Sequence, residues 1–209
     1  MLDLNNVTYS EGMGDLALMP DGVVARGIVK LSGGDMELPE FGGGAYFKSS
    51  QSGARWMPIE LTIVGGDFDK RKVWQNIFVD GAKLDANGFP VAKRIGLETI
   101  KRMVNSAFGL TENDNSPEAL QKRASINGVH VLNGMEICFK VGIEKGNNGY
   151  PDKNKIKVVL TPADKEFIPS SGNAPTAAPQ AQAPAAPVQQ QAAAPSAAPN
   201  NGVTPPWAR

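Results

Sequence analysis

The clearest alternation of apolar and polar positions lies between residues 56 and 81, and it predicts two antiparallel strands joined by a tight turn. Gly65, Gly66 and Asp67 form the predicted turn, because glycine accepts the positive φ angles that hairpin connections need. In the second strand Trp74 and Phe78 share one face. Each strand has one apolar face, formed by Met57, Ile59, Leu61 and Ile63 in the first strand and by Val73, Ile77 and Val79 in the second.

The same patterns predict three further strands and two helices. The first helix has apolar residues at three- and four-residue spacing. The second begins well, because Ser116 is a favourable N-cap and Pro117 suits the first helical position. The predicted ranges are 23–31, 135–144 and 154–161 for the strands, and 97–108 and 117–125 for the helices.

In chain order the prediction is three strands, a helical insert and two strands. Five strands with a helix between the third and fourth is the order of the OB barrel, a small sheet that closes on itself. We therefore expect a mostly β chain, a five-stranded OB-fold barrel with a helical insert between strands 3 and 4. An α+β sandwich of the same elements is the alternative.

Composition divides the chain into three parts. Residues 1–20 show no clear period and are expected to form an N-terminal arm, followed by a nucleic-acid-binding domain at 21–169. Residues 170–209 hold 8 of the 16 prolines and have Arg209 as their one charged side chain, so this tract is expected to be a disordered tail. The tail is either a passive solubilising segment or a flexible spacer that presents Trp207 to a partner protein.

The totals place few limits on the partner. The 21 basic and 21 acidic residues balance, which still permits a local basic groove. With Cys138 as the one cysteine, no intramolecular disulfide is possible, and a reducing cytoplasm is the simplest compartment. Residues 1–19 lack the pattern of a signal peptide, and no apolar run is long enough to span a bilayer. The oligomeric state is not set by the sequence.

The hairpin supplies the leading candidate site. A sheet face with exposed aromatic rings beside cations is typical of proteins that bind single-stranded nucleic acid, where rings stack on bases and cations contact phosphates. Trp74 and Phe78 would stack, although either side chain could instead belong to the core. Neighbouring candidates are Lys70, Arg71 and Lys72 in the turn, and Arg55 and Trp56 at the start of the first strand.

Two more segments are candidates for the same surface. The OB fold binds oligonucleotides on strands 2 and 3 between the loops that join strands 1–2 and strands 4–5. The second loop region contributes Tyr150, Lys153, Lys155 and Lys157. The first contributes Tyr46, Phe47 and Lys48.

Catalytic and metal sites find little support. His130 is the one histidine and lies between two valines, and no serine occupies a nucleophile-elbow pattern. The glycine runs lack the lysine and hydroxyl residue of a phosphate-binding loop. One cysteine and one histidine cannot form a structural zinc site, and the aspartates of the turn, Asp67 and Asp69, are typical of a solvated turn. We expect no enzyme activity and no cofactor.

The segments 68–76 and 149–154, with the tail after the barrel, resemble a group of phage-encoded proteins from replication and recombination modules, some of them single-stranded-DNA-binding proteins. The resemblance covers residues 21–161. It implies an OB fold, sequence-tolerant binding of single-stranded DNA, and a tail that recruits replication partners.

One departure concerns the tail. Bacterial single-stranded-DNA-binding proteins typically end in an acidic tip with an aromatic residue, whereas this chain ends Thr-Pro-Pro-Trp-Ala-Arg. Recruitment through the usual partner pocket is therefore in doubt. Two other functions remain open, a strand-annealing recombination protein and a protein-interaction adapter that binds no DNA. A metal-dependent nuclease ranks lowest.

Overall fold

The computed structural model describes residues 17–147 and 149–170. The predicted tail, including Trp207, lies outside the described residues, as does most of the predicted arm. The described chain is mostly β, with six antiparallel strands in one sheet. The strands are β1 (Val24–Leu31), β2 (Lys48–Ser49), β3 (Arg55–Ile63), β4 (Lys72–Asp80), β5 (Glu136–Glu144) and β6 (Lys153–Leu160).

The sheet is organised around β3, which pairs with β4 along one edge and with β1 and the short β2 along the other. β1 continues the sheet to β5, and β5 to β6. Since every neighbouring pair is antiparallel, β4 and β6 run in the same direction. Gln75 of β4 accepts a hydrogen bond from the Ile156 amide of β6 at 3.3 Å through Oε1, while no backbone ladder joins these strands within the described ranges.

Two helices follow β4. α1 (Val91–Phe108) packs against β4, β5 and β6, and α2 (Pro117–Ala124) packs against α1. The predicted cap of α2 is confirmed, because Ser116 Oγ accepts from the Ala119 amide at 3.2 Å. α1 begins six residues before the predicted start at 97. Gly96 explains how its first turns fit, since a Cβ there would lie 2.1 Å from the Phe78 carbonyl oxygen.

The hydrophobic core lies on the inner face of the sheet. The aliphatic faces predicted for the hairpin form its centre, and the register places Leu61 opposite Val73 and Met57 opposite Ile77. α1 adds Met103, Val104 and Ala107. Removing these side chains from water is the main favourable contribution to folding, and it leaves the other face of β3 and β4 available to solvent.

The turn between β3 and β4 contains the predicted glycines but spans residues 64–71, so it is longer than predicted. Gly65 and Gly66 have φ angles of 74° and 70°, and Lys70 also has a positive φ of 66°. Asp69 closes the turn by accepting from the Gly65 amide at 2.7 Å. Within the part of the chain that the structure describes, no helix has both the length and the apolar character to cross a bilayer.

Candidate nucleic-acid interface

A groove of about 850 Å³ runs between β4, the β3–β4 turn and the beginning of β6. It brings together side chains that the sequence analysis proposed from separate segments. We call it the basic groove, because the turn and β6 contribute cations on both of its sides. The predicted site residues that line it are Lys70, Arg71, Lys72, Trp74, Phe78 and Lys153.

The Trp74 side chain is oriented by one hydrogen bond and is largely exposed to solvent. It lies directly opposite Glu60 in the β3–β4 register, and its indole Nε1–H donates to Glu60 Oε2 at 3.1 Å. The residue remains 59% exposed. A tryptophan oriented by a polar partner and exposed to solvent is suited to stacking on a flat ring.

Glu60 was not predicted from the sequence, although it orients two side chains of the predicted site. Its Oε1 lies 2.9 Å from Lys72 Nζ, so one carboxylate orients both an aromatic ring and a cation. The hydrogen bond from Lys72 lowers the pKa of Glu60, with a further contribution from the Trp74 N–H, and burial opposes them. Glu60 could have been predicted from the hairpin register. In a hairpin centred on Asp67, residues 60 and 74 are equally far from the turn and therefore lie opposite each other.

A second cross-strand pair extends the aromatic surface. Trp56 lies opposite Phe78, and their ring centroids are 5.8 Å apart with the planes inclined at 46°. Phe78 is 46% exposed and Trp56 is half-buried. Trp74 and Phe78 stand four residues apart on one face, which is about 13 Å along a strand. This spacing leaves room for more than one base between the rings.

The cations of the turn differ in their partners. Lys72 is paired with Glu60, whereas neither Lys70 nor Arg71 forms an ion pair with any residue in 17–147 or 149–170. The Arg71 guanidinium lies 5.9 Å from the centre of the Phe68 ring. These two side chains can contact phosphate without first giving up a carboxylate partner.

The cations of the second predicted patch do not form one cluster. Lys153 lines the basic groove at 3.7 Å from Glu144, while Lys157 pairs with Asp21 at 2.7 Å. Lys155 is half-buried beside Gly142. Of this patch, Lys153 is the cation that lines the groove.

The loop before β6 holds the remaining member of that patch. Tyr150 is 78% exposed and does not line the groove. Asp152 orders the loop by accepting from the Gly146 amide at 2.8 Å and pairing with Lys145 at 2.7 Å. The hydrogen bond from Lys145 lowers the pKa of Asp152, so this acid keeps its charge at the groove rim.

Phe47 requires a correction. Its side chain is fully buried, with its ring centroid 5.2 Å from that of Phe41, so the ring is not available to stack on a base. Its backbone N–H donates to the Met36 carbonyl, its carbonyl accepts from the Met36 amide, and its ring is buried in the core. Of the other candidates near the hairpin's start, Tyr46 is half-buried, Lys48 is exposed and Arg55 lies 3.7 Å from Asp80.

The sequence matches no protein-family model, and it matches none of the curated proteins. Within residues 17–147 and 149–170, no cluster of three or more acidic, histidine or cysteine side chains is arranged to hold a metal ion. The basic groove combines exposed rings, acidic and hydrogen-bonding side chains, and two cations that form no ion pair with any described residue.

Proposed function

We propose that this protein binds single-stranded DNA, without sequence preference, along the basic groove. The observation that carries the proposal is the meeting in one groove of the exposed rings Trp74 and Phe78 with Lys70 and Arg71 from the adjoining turn, joined by Lys153 from β6. Every base offers a flat face to such rings, and the cations contact a backbone that all sequences share.

The topology supports the finer fold, a five-stranded OB barrel. Without the two-residue β2, the strand order is β4–β3–β1–β5–β6, with β4 and β6 parallel and a helix between the third and fourth strands of that set. The bond from Ile156 to Gln75 brings the two ends of this order together. In OB folds the face of the second and third strands binds oligonucleotides, and here these are β3 and β4.

The expected strength of binding follows from the same residues. Each base stacked on an exposed ring contributes roughly 1–3 kcal/mol. Each cation that neutralises a phosphate adds about 0.7 to the slope of log K against log salt for a single strand. Asp69, Asp152 and Glu144 also line the groove, so we expect moderate salt dependence and a binding energy that depends strongly on stacking.

The deciding experiment is a titration of fluorescently labelled oligo-dT with the full chain at low and at moderate salt. We expect saturable binding that weakens as salt rises, and a similar affinity for a mixed-sequence oligonucleotide. The double variant Lys70→Gln/Arg71→Gln tests the groove cations. It should bind more weakly at low salt and show a smaller salt slope. The proposal fails if the unchanged protein shows no binding at low salt.

The biological setting that we propose rests on the resemblance to phage replication and recombination proteins. In that setting the protein is non-catalytic, protects single strands, and recruits partners through Trp207 in the tail. A complementary-strand pairing assay separates this role from strand annealing. An adapter that binds polypeptide alone is disfavoured by Lys70 and Arg71, whose unpaired charges flank the exposed rings.

A further inference from the structure

A second groove, of about 510 Å³, lies between β4, β6 and the first half of α1. We call it the seam groove, because it follows the line along which β4 and β6 approach each other. It adjoins the basic groove. Three residues of β4, namely Gln75, Asn76 and Phe78, line both of them.

The two grooves differ in charge. Acidic residues line the basic groove, whereas among the described residues none lines the seam groove. Its cations are Lys83, Arg102 and Lys157. Lys157 is paired with Asp21, and Arg102 donates to the Val159 carbonyl at 3.1 Å, so each already has a protein partner. Lys83 forms no ion pair with any described residue and is free to meet an anion.

The walls of the seam groove are aliphatic. β6 contributes Ile156 and Val158, and α1 contributes Ile95, which is 51% exposed. α1 approaches β4 closely at Gly96, where a Cβ would lie 2.1 Å from the Phe78 carbonyl oxygen. Apolar walls with a free cation suit the sugars and base faces of a strand that places one phosphate at Lys83, and the shared β4 residues favour one ligand that occupies both grooves.

We infer that the single strand leaves the basic groove past Phe78 and continues into the seam groove, where Lys83 contacts a phosphate and Ile95 packs against sugar and base. This inference rests on the proposed function and extends it, because it assigns a second segment of the bound strand to a different surface. An acidic peptide is the other chemistry that the groove would accept.

The test compares oligo-dT lengths from about 4 to about 16 nucleotides, the range of site sizes per OB fold. For the full chain we expect affinity to rise in two steps, as the strand fills first one groove and then both. Lys83→Gln should leave short-oligomer binding unchanged, weaken the longest oligomers, and lower their salt slope by about 0.7. Ile95→Glu should remove the second step.

The control is Lys101→Gln, which also removes one positive charge. Lys101 lies on α1, lines neither groove and is 3.8 Å from Glu112. If Lys83→Gln and Ile95→Glu bind every length as the unchanged protein does, the inference is wrong, and capture of a labelled acidic peptide would then assign the seam groove to a protein partner. An equal loss at all lengths also overturns it. If the unchanged protein binds no oligomer at all, the proposed function itself fails.

Discussion

β4 and β5 show the same alternation of apolar and polar residues, yet their outward faces have opposite environments. On β4 the outward side chains Trp74 and Phe78 are exposed. On β5 the outward side chains Glu136 and Cys138 are buried, and burial raises the pKa of the Cys138 thiol. The two strands belong to one sheet, so the difference arises from what covers them.

The segment that follows β6 covers β5. The Ile168 amide donates to Cys138 Sγ at 3.4 Å, Lys140 pairs with Glu166, and Arg26 Nη1 donates to the Pro169 carbonyl at 3.0 Å. α1 packs against β4, but the outward rings of Trp74 and Phe78 remain exposed among the described residues. The sheet therefore has a closed half around β5, where covered polar side chains stabilise the fold. It has an open half around β4, where exposed side chains are available to a ligand.

The largest effect should come from the ion pair of the closed half. Glu136 is 4% exposed, and its Oε1 lies 3.2 Å from Arg26 Nη1 without an aligned hydrogen bond to any described residue. Arg26→Met would leave this carboxylate buried without its cation. We expect a loss of about 3–5 kcal/mol in the free energy of unfolding, measured by urea denaturation. A loss below about 1 kcal/mol would mean that water reaches Glu136.

On the open half, removal of an exposed ring should weaken DNA binding and leave the stability of the fold unchanged. Trp74→Ala removes an exposed ring, so we expect oligo-dT affinity to fall by roughly 1–3 kcal/mol with an unchanged urea midpoint. Phe89→Ala is the matched control, an exposed aromatic residue that lines neither groove. Equal losses of affinity in both variants, or unfolding of Trp74→Ala, would contradict a stacking role for Trp74.

A smaller effect is expected from the pH dependence of Glu60. Because Lys72 and Trp74 lower its pKa in the folded protein, Glu60 adds stability above the pKa of an ordinary glutamate, and this stability is lost as the pH falls through the folded-state pKa. Glu60→Gln lacks this titration. The difference in unfolding free energy between the two proteins should therefore be larger at about pH 7 than at about pH 3. A difference independent of pH would show that the ion pair contributes nothing.

Much of the open half could be predicted from the sequence because the signals there are local. Alternation along β3 and β4, with glycines at the turn, predicts which residues share a face, while the choice of the outward face and the role of Glu60 required the structure. The same locality accounts for the cap of α2 at Ser116. Exposure of Trp74 and Phe78 follows from aliphatic residues on the opposite face, which the core requires.

The remaining features depend on residues far apart in the chain, and local patterns do not contain them. Phe47 is followed by a lysine and resembles a surface aromatic. Its backbone bridge to Met36 and its ring contact with Phe41 place it in the core instead. The early start of α1 at Val91 depends on Gly96 fitting against β4. Burial of Cys138 depends on a segment that returns from 30 residues further along the chain.

The smallest effect should come from the ion pair of the open half, which is the direct counterpart of Arg26 and Glu136. Lys72 Nζ lies 2.9 Å from Glu60 Oε1, a shorter distance than in the closed half, but Lys72 is 47% exposed. Solvent screens such a pair, so Lys72→Met should cost at most about 1 kcal/mol of unfolding free energy in the same urea assay. It should lower the salt slope of oligo-dT binding by less than about 0.7, because Lys72 lines the basic groove but already has Glu60 as its partner. A stability loss as large as that of Arg26→Met would show that distance, and not cover from solvent, sets the strength of these two pairs.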